Sequence, residues 1–195
     1  MSRSLRLAAL ISGAGSSLAV VLDAIAAGGL DLELVEVICN RPEAKGLALA
    51  ERHGVPTRII SKSTAAEAGE DAAIGERLEA LSPDLILLTG YMRILGADLV
   101  NAFQGRMINQ HPSLLPRHKG LHTHRRALEA GDREHGASLH FVTPELDGGP
   151  LIAQVRVPVR ETDDERTLAD RLRPREQALL LAVLPLFTAR RLALG

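Results

Sequence analysis

Asn109 and His111 stand two residues apart in Met107-Ile108-Asn109-Gln110-His111-Pro112-Ser113-Leu114-Leu115-Pro116, a stretch that opens as an apolar strand and closes in a turn stiffened by two prolines. Side chains i and i+2 of an extended segment project to the same side. An amide donor and a titratable imidazole would therefore leave the strand end together. An acyl carbon passing through a tetrahedral oxyanion calls for such a pair, one group to donate a hydrogen bond and one to carry or move a proton. A carboxylate completes the set if Asp147 joins them. It lies in Thr143-Pro144-Glu145-Leu146-Asp147-Gly148-Gly149-Pro150, where the glycines permit a backbone path that turns a side chain inward. An ordinary Asp-Gly turn explains the same residues. Facing His111, the carboxylate would hold the imidazole's tautomer and favour its protonated form.

Other segments carry their own chemistry. Ser12-Gly13-Ala14-Gly15-Ser16-Ser17 follows an apolar run and precedes a helical pattern with Leu18, Val21, Leu22 and Ile25. Strand, glycine loop and helix start present backbone N–H groups to an anion. Ser16 or Ser17 could cap that helix and donate to phosphate oxygens. The spacing fits neither the dinucleotide fingerprint nor the P-loop, and a tight turn without a ligand remains open. Met92-Arg93-Ile94-Leu95 suits a pocket for a flat ring or a plain packed loop. Six of the seven histidines fall between His111 and His140. Their segments alternate between loop, strand and helix, and no HExxH or cysteine pattern closes a metal site.

The elements that would position these groups alternate. Strands are predicted at residues 5–11, 34–39, 57–60, 85–88, 107–111, 136–142 and 151–159, and helices from residue 18 to the Gly28-Gly29 pair and at 45–53, 65–81, 97–103, 123–130 and 163–191. Pro174 inside the last helix removes the hydrogen bond to the Asp170 carbonyl and predicts a kink or break. Such alternation implies an α/β fold, an open, mostly parallel twisted sheet with helices on both faces and an antiparallel edge strand near the C-terminus. Ligands of such sheets bind beyond the carboxyl ends of the strands. With 195 residues and no repeat or linker, the chain reads as a single domain. The glycine loop falls in an N-terminal half of about residues 1–105, and Asn109, His111 and Asp147 in a second half of about residues 106–195. A net charge of −1 without a long basic run points away from nucleic acid. One cysteine, Cys39, fits a reducing compartment. No segment is apolar enough to span a membrane, and the apolar start, broken at Ser12, reads as a buried strand rather than a signal peptide. A cytoplasmic protein is expected.

Taken together, Ile11-Ser12-Gly13-Ala14-Gly15-Ser16-Ser17-Leu18, Met92-Arg93-Ile94-Leu95, the Asn109–Pro116 stretch and Glu145-Leu146-Asp147-Gly148-Gly149-Pro150 resemble, in order and distance, the folate-dependent formyltransferases. Gly120-Leu121-His122-Thr123-His124 and Leu146-Asp147-Gly148-Gly149-Pro150 narrow the resemblance to the phosphoribosylglycinamide formyltransferases. It covers nearly the whole chain and implies a Rossmann-like formyltransferase fold. It further implies formyl transfer from 10-formyltetrahydrofolate to glycinamide ribonucleotide in purine synthesis, with small-molecule substrates, no metal, and a monomer or homodimer.

The resemblance also assigns residues. Asn109, His111 and Asp147 match the catalytic trio. Gly15, Ser16 and Ser17 would hold the ribonucleotide phosphate, and Glu176 its ribose, with Arg173 reaching the phosphate. Met92, Arg93, Ile94 and Leu95 would line the folate pocket with Asn109, Val142, Thr143, Pro144, Glu145, Leu146 and Asp147, Arg93 being mobile enough to meet the glutamate tail. Departures from the family pattern are Ser17 in place of Asn, Gln110 in place of an aliphatic residue, Glu67 near the place of a folate-contacting Arg, and Arg173-Pro174 before Glu176. Competing readings are a formyltetrahydrofolate deformylase, whose extra N-terminal domain is not expected here, and a methionyl-tRNA formyltransferase, whose basic C-terminal domain is likewise not expected. A sugar-nucleotide N-formyltransferase and a catalytically idle nucleotide-binding module complete them.

Overall fold

Strand and helix alternate along the chain: β1 (Leu5–Ile11), α1 (Ser16–Ala26), β2 (Leu32–Cys39), α2 (Lys45–Arg52), β3 (Thr57–Ile59), α3 (Gly69–Leu81), β4 (Leu85–Thr89), α4 (Ala97–Ala102), β5 (Met107–His111), α5 (Thr123–Glu129), β6 (Glu134–Phe141), β7 (Leu151–Pro158) and α6 (Glu165–Thr188). The structure is a computed structural model that describes residues 3–65 and 69–189. Glu67 and the predicted end of the last helix at residue 191 lie outside the described residues.

The seven strands form one sheet in the order β3-β2-β1-β4-β5-β6-β7. The first five pair in parallel, and β6 joins β5 and β7 antiparallel. Parallel strands covered on both faces read as continuous apolar runs, and β4, Leu-Ile-Leu-Leu-Thr, is buried throughout. Alternation along β1 sends two residue sets to opposite layers: Leu7, Ala9 and Ile11 pack with α1, α2 and α6, whereas Ala8 and Leu10 pack with α3 and α4. Since β1 lies between β2 and β4, the chain reverses its winding there. A crevice opens at the carboxyl ends of β1 and β4.

The last helix does not break at Pro174, one of the two outcomes its sequence predicts. α6 runs unbroken through Pro174 and through a second proline, Pro185. Leu168 and Leu172 pack on Ala137 and Val157 before Pro174, and Leu180, Val183, Leu184 and Phe187 enter the main core after it. Burial on both sides outweighs the hydrogen bond each proline forgoes, a loss of about 3 kcal/mol in an exposed helix. Asp164 and Thr167 form a reciprocal capping box at its start. No helix among the described residues is long and apolar enough to cross a membrane.

Glu36 is a charged residue in the buried β2, 1% exposed. Arg77 of α3 grips both carboxylate oxygens, and Arg58 of β3 reaches Oε1 at 3.2 Å. A buried carboxylate is tolerated only while paired. Arg77→Ala is expected to cost about 2–3 kcal/mol in urea unfolding, below the roughly 3–5 of a fully enclosed pair because Arg58 remains. A loss under about 0.5 kcal/mol, the range of ordinary surface substitutions, would contradict this.

Candidate active site

β5 ends with Asn109 and His111 turned to one face, and the loop between β6 and β7 brings Asp147 to them. Asn109 Nδ2 donates to Asp147 Oδ1 at 3.4 Å, and His111 Nδ1 lies 3.5 Å from Oδ2. The backbone N–H of Gly120 donates to Oδ2 at 2.8 Å. Asp147 itself takes φ 46°, while Gly148 and Gly149 are not left-handed. Strain thus sits on the carboxylate residue rather than on the glycines. Gly149 serves close approach instead: a Cβ there would stand 1.8 Å from the Phe141 carbonyl oxygen.

The rest of the polar network fixes proton positions. His111 Nε2 donates to the His118 carbonyl at 3.1 Å, and His118 Nε2 meets Asp132 Oδ2 at 2.7 Å. His140 Nδ1 donates to the Phe141 carbonyl at 2.8 Å, and its Nε2 lies 3.2 Å from Asn109 Nδ2 and 3.6 Å from Asp147 Oδ1. Burial pushes His111 below its ordinary value, although the His118 carbonyl and Asp147 pull the other way. This corrects the expectation that Asp147 makes the imidazolium the favoured resting form: desolvation wins. For Asp147, burial opposes ionisation, but contacts with His140, the Gly120 N–H and the charge of His111 together hold the carboxyl below its ordinary value.

The trio lies in a cleft of about 820 Å³ that runs from the glycine loop past β5 to the β6–β7 loop. Gly15, Ser16 and Ser17 line one end. Neither serine caps α1. The N-cap is Gly15, at φ 72° and without a side-chain hydrogen bond, which leaves first-turn N–H groups for an anion. Glu176 lines the same cleft, its carboxyl pushed up to about 7 by burial, with Arg173 opposing. Arg173 is absent from the lining and pairs with Asp170 at 3.0 Å.

Met92, Ile94, Leu121 and Leu146, all exposed, line the cleft with Leu95, Val142, Thr143, Pro144 and Glu145. Exposed large apolar side chains gathered around one cavity mark a ligand surface. Arg93 also lines it, but it is paired with Asp71 and Glu70 of α3 rather than unpartnered. Among the described residues no group of three or more His, Cys, Asp or Glu is arranged to hold a metal ion.

Several lining residues were given no role in the site from the sequence. His140 sits directly opposite Asn109 in the β5–β6 ladder, a relation visible only once the antiparallel register is known. Ser12 Oγ accepts from the Met92 N–H at 2.8 Å and ties the glycine loop to the apolar end. Gln110, on the opposite face from the trio, donates to the Glu176 carbonyl at 2.7 Å. Arg41, His122, His124 and Glu165 also line the cleft.

An open α/β sheet whose switch point joins a helix N-terminus to an amide, an imidazole and a carboxylate defines an enzyme of acyl or one-carbon transfer. The chain belongs to the formyl transferase family, whose model matches residues 5–184. It is 41% identical to the phosphoribosylglycinamide formyltransferase of Escherichia coli (strain K12) over 184 residues, 94% of this chain and 87% of that protein. Its fold matches the crystal structure of glycinamide ribonucleotide transformylase 1 from Symbiobacterium toebii with a TM-score of 0.92 and 38% identity, covering 98% of this chain and 91% of that one. A formyltetrahydrofolate deformylase from Burkholderia mallei matches at TM-score 0.86 and 29% identity, covering 98% of this chain and 68% of that one.

His124 Nδ1 and His135 Nε2 lie 2.9 Å apart beside this cleft. Burial, with His124 adding, lowers His135 from 6.5 to about 4. The folded state keeps the ring neutral while the unfolded chain takes up a proton below pH 6.5. Stability present above 6.5 is therefore lost as pH falls towards 4, by about 3 kcal/mol. His135→Gln is expected to flatten the pH dependence of the urea midpoint across that window, and an unchanged slope would exclude His135 as its source.

Proposed function

We propose that the chain transfers a formyl group from 10-formyltetrahydrofolate to the amine of glycinamide ribonucleotide, giving formylglycinamide ribonucleotide and tetrahydrofolate in purine synthesis. The observation that carries this reading is Asp147 set between Asn109 Nδ2 and His111 Nδ1, in a cleft lined both by the glycine loop with its anion donors and by exposed apolar side chains. The relatives named for the same reaction support it.

In this mechanism the glycine loop takes the phosphate and Glu176 the ribose hydroxyls, which delivers the amine to the trio. Met92, Ile94, Leu95, Val142 and the Thr143–Asp147 loop hold the folate ring. The neutral amine attacks the formyl carbon. Asn109 turns an N–H from its long contacts with His140 and Asp147 to the growing oxyanion, which competes as the stronger acceptor. The amine's proton is taken up by the His111–Asp147 pair, directly or through a water. Asp147 stabilises the imidazolium that forms, and the proton returns to the folate nitrogen as its bond to the formyl carbon breaks. His111 is thus charged during turnover rather than at rest.

His111→Ala and Asp147→Ala are each expected to lower kcat by about two to three orders of magnitude, with folate affinity essentially unchanged in His111→Ala. Tetrahydrofolate release with glycinamide ribonucleotide as acceptor, alongside a folate binding titration, measures both. Near-wild-type kcat in either variant would remove that residue from the mechanism, and release without any acceptor would favour deformylation.

A further inference from the structure

Two arginines, Arg41 and Arg93, and four carboxylates, Glu145, Asp147, Glu165 and Glu176, line the cleft. A phosphate dianion entering such a site meets more negative than positive charge unless a cation is free to face it. Arg93 is committed to Asp71 and Glu70. Arg173 is held by Asp170 outside the lining. Lys119 pairs with Glu145 and Arg125 with Glu165, which neutralises those two carboxylates but frees no cation. Among the described residues the guanidinium of Arg41 has no ion pair or hydrogen bond, and the contacts of this residue are through its backbone.

The sheet places Arg41 beside the glycine loop. β1 and β2 are parallel neighbours with Ile11 opposite Cys39, about 4.8 Å apart. Gly13 and Arg41 each lie two residues beyond, at the same end of the sheet. The two loops are joined, since the Gly46 N–H donates to the Gly13 carbonyl at 3.1 Å and a Cβ on Gly46 would strike Ile11 at 2.4 Å. The turn that carries Arg41 is fixed by Cys39, whose Sγ accepts from the Arg41 N–H at 3.4 Å and donates to its carbonyl at 3.2 Å. The base of the side chain is thus anchored while its head remains free at the cleft.

We propose that Arg41 is the phosphate-recognising cation of the ribonucleotide subsite, closing over a phosphate held by the N–H groups at the start of α1. This rests on the reading of the glycine loop as a phosphate cradle. An arginine suits the role because its planar fork bonds two phosphate oxygens at once. The backbone donors alone would bind any small anion. Arg41 makes the site selective for a dianionic phosphoryl group, and so for a ribonucleotide over the corresponding riboside.

Titration of the full-length protein with ribose 5-phosphate tests this without requiring turnover. Arg41→Gln is expected to weaken binding about 10- to 100-fold, the worth of one charge-assisted contact, and Arg41→Lys to recover part of that loss. In formyl-transfer assays Arg41→Gln should raise KM for the ribonucleotide by a similar factor with kcat within about twofold, while kcat/KM for the dephosphorylated riboside stays unchanged. Unaltered ribose 5-phosphate affinity in Arg41→Gln, or no binding by the wild type, overturns the proposal. An equal loss for riboside and ribonucleotide also overturns it, since the residue would then act on the fold or the ribose. Absence of formyl transfer by the wild type would instead count against the proposed function, and the titration would still decide the role of Arg41.

Discussion

The carboxylate of Asp147 is the contact on which the site depends. It gathers Asn109 and His111 from β5, His140 from β6 and the Gly120 N–H from the loop before α5. β5 and β6 are already paired in the sheet, and Asp147 joins the Gly120 loop to both at this point. Asp147 reaches them only by adopting a left-handed backbone, a strain of order 1–3 kcal/mol for a residue other than glycine. Gly149, pressed against the Phe141 carbonyl, pins the following turn so that the strain is not relieved by the loop drifting outward. His118 and His122 are also left-handed, so two further strained residues belong to the loop that carries the Gly120 donor.

Burial and charge oppose each other at this point, and the balance sets the chemistry. Desolvation keeps the His111 ring neutral in the free enzyme, while Asp147 and the His118 carbonyl lower the cost of charging it. A group in that condition accepts a proton when the reaction supplies one and is not already spent beforehand. Different lining groups of the cleft suit its other tasks. Backbone donors gather at the start of α1, and exposed apolar side chains gather around Met92 and Leu146. Ser12 links the two groups by accepting from the Met92 N–H.

Much of this was legible in the sequence because it depends on local rules. The strand–loop–helix of residues 5–26, the buried β4 and the i, i+2 spacing of Asn109 and His111 follow from periodicity and glycine placement. Pairings across the sheet did not follow. His140 enters the site through the antiparallel register opposite Asn109, and Arg41 through the parallel register of β1 and β2; neither residue lies near its partner in the chain. The break allowed for at Pro174 is absent for a related reason. A proline rule describes an isolated helix, whereas α6 is buried on both sides of that residue. Arg93 looked free because its acidic partners lie more than twenty positions earlier, on α3. Net electrostatics at His111 also escaped the sequence, since burial is a property of the whole fold.

The proton affinity of His111 tests the central role of Asp147 most directly. Nitrogen-15 NMR of the histidine rings, with His111 assigned by substitution, gives its titration in the wild type and in Asp147→Asn. The account predicts a wild-type midpoint below 6.5 and a lower one still in the variant, because the carboxylate that favours the imidazolium is gone. A midpoint that stays unchanged or rises in Asp147→Asn would contradict it.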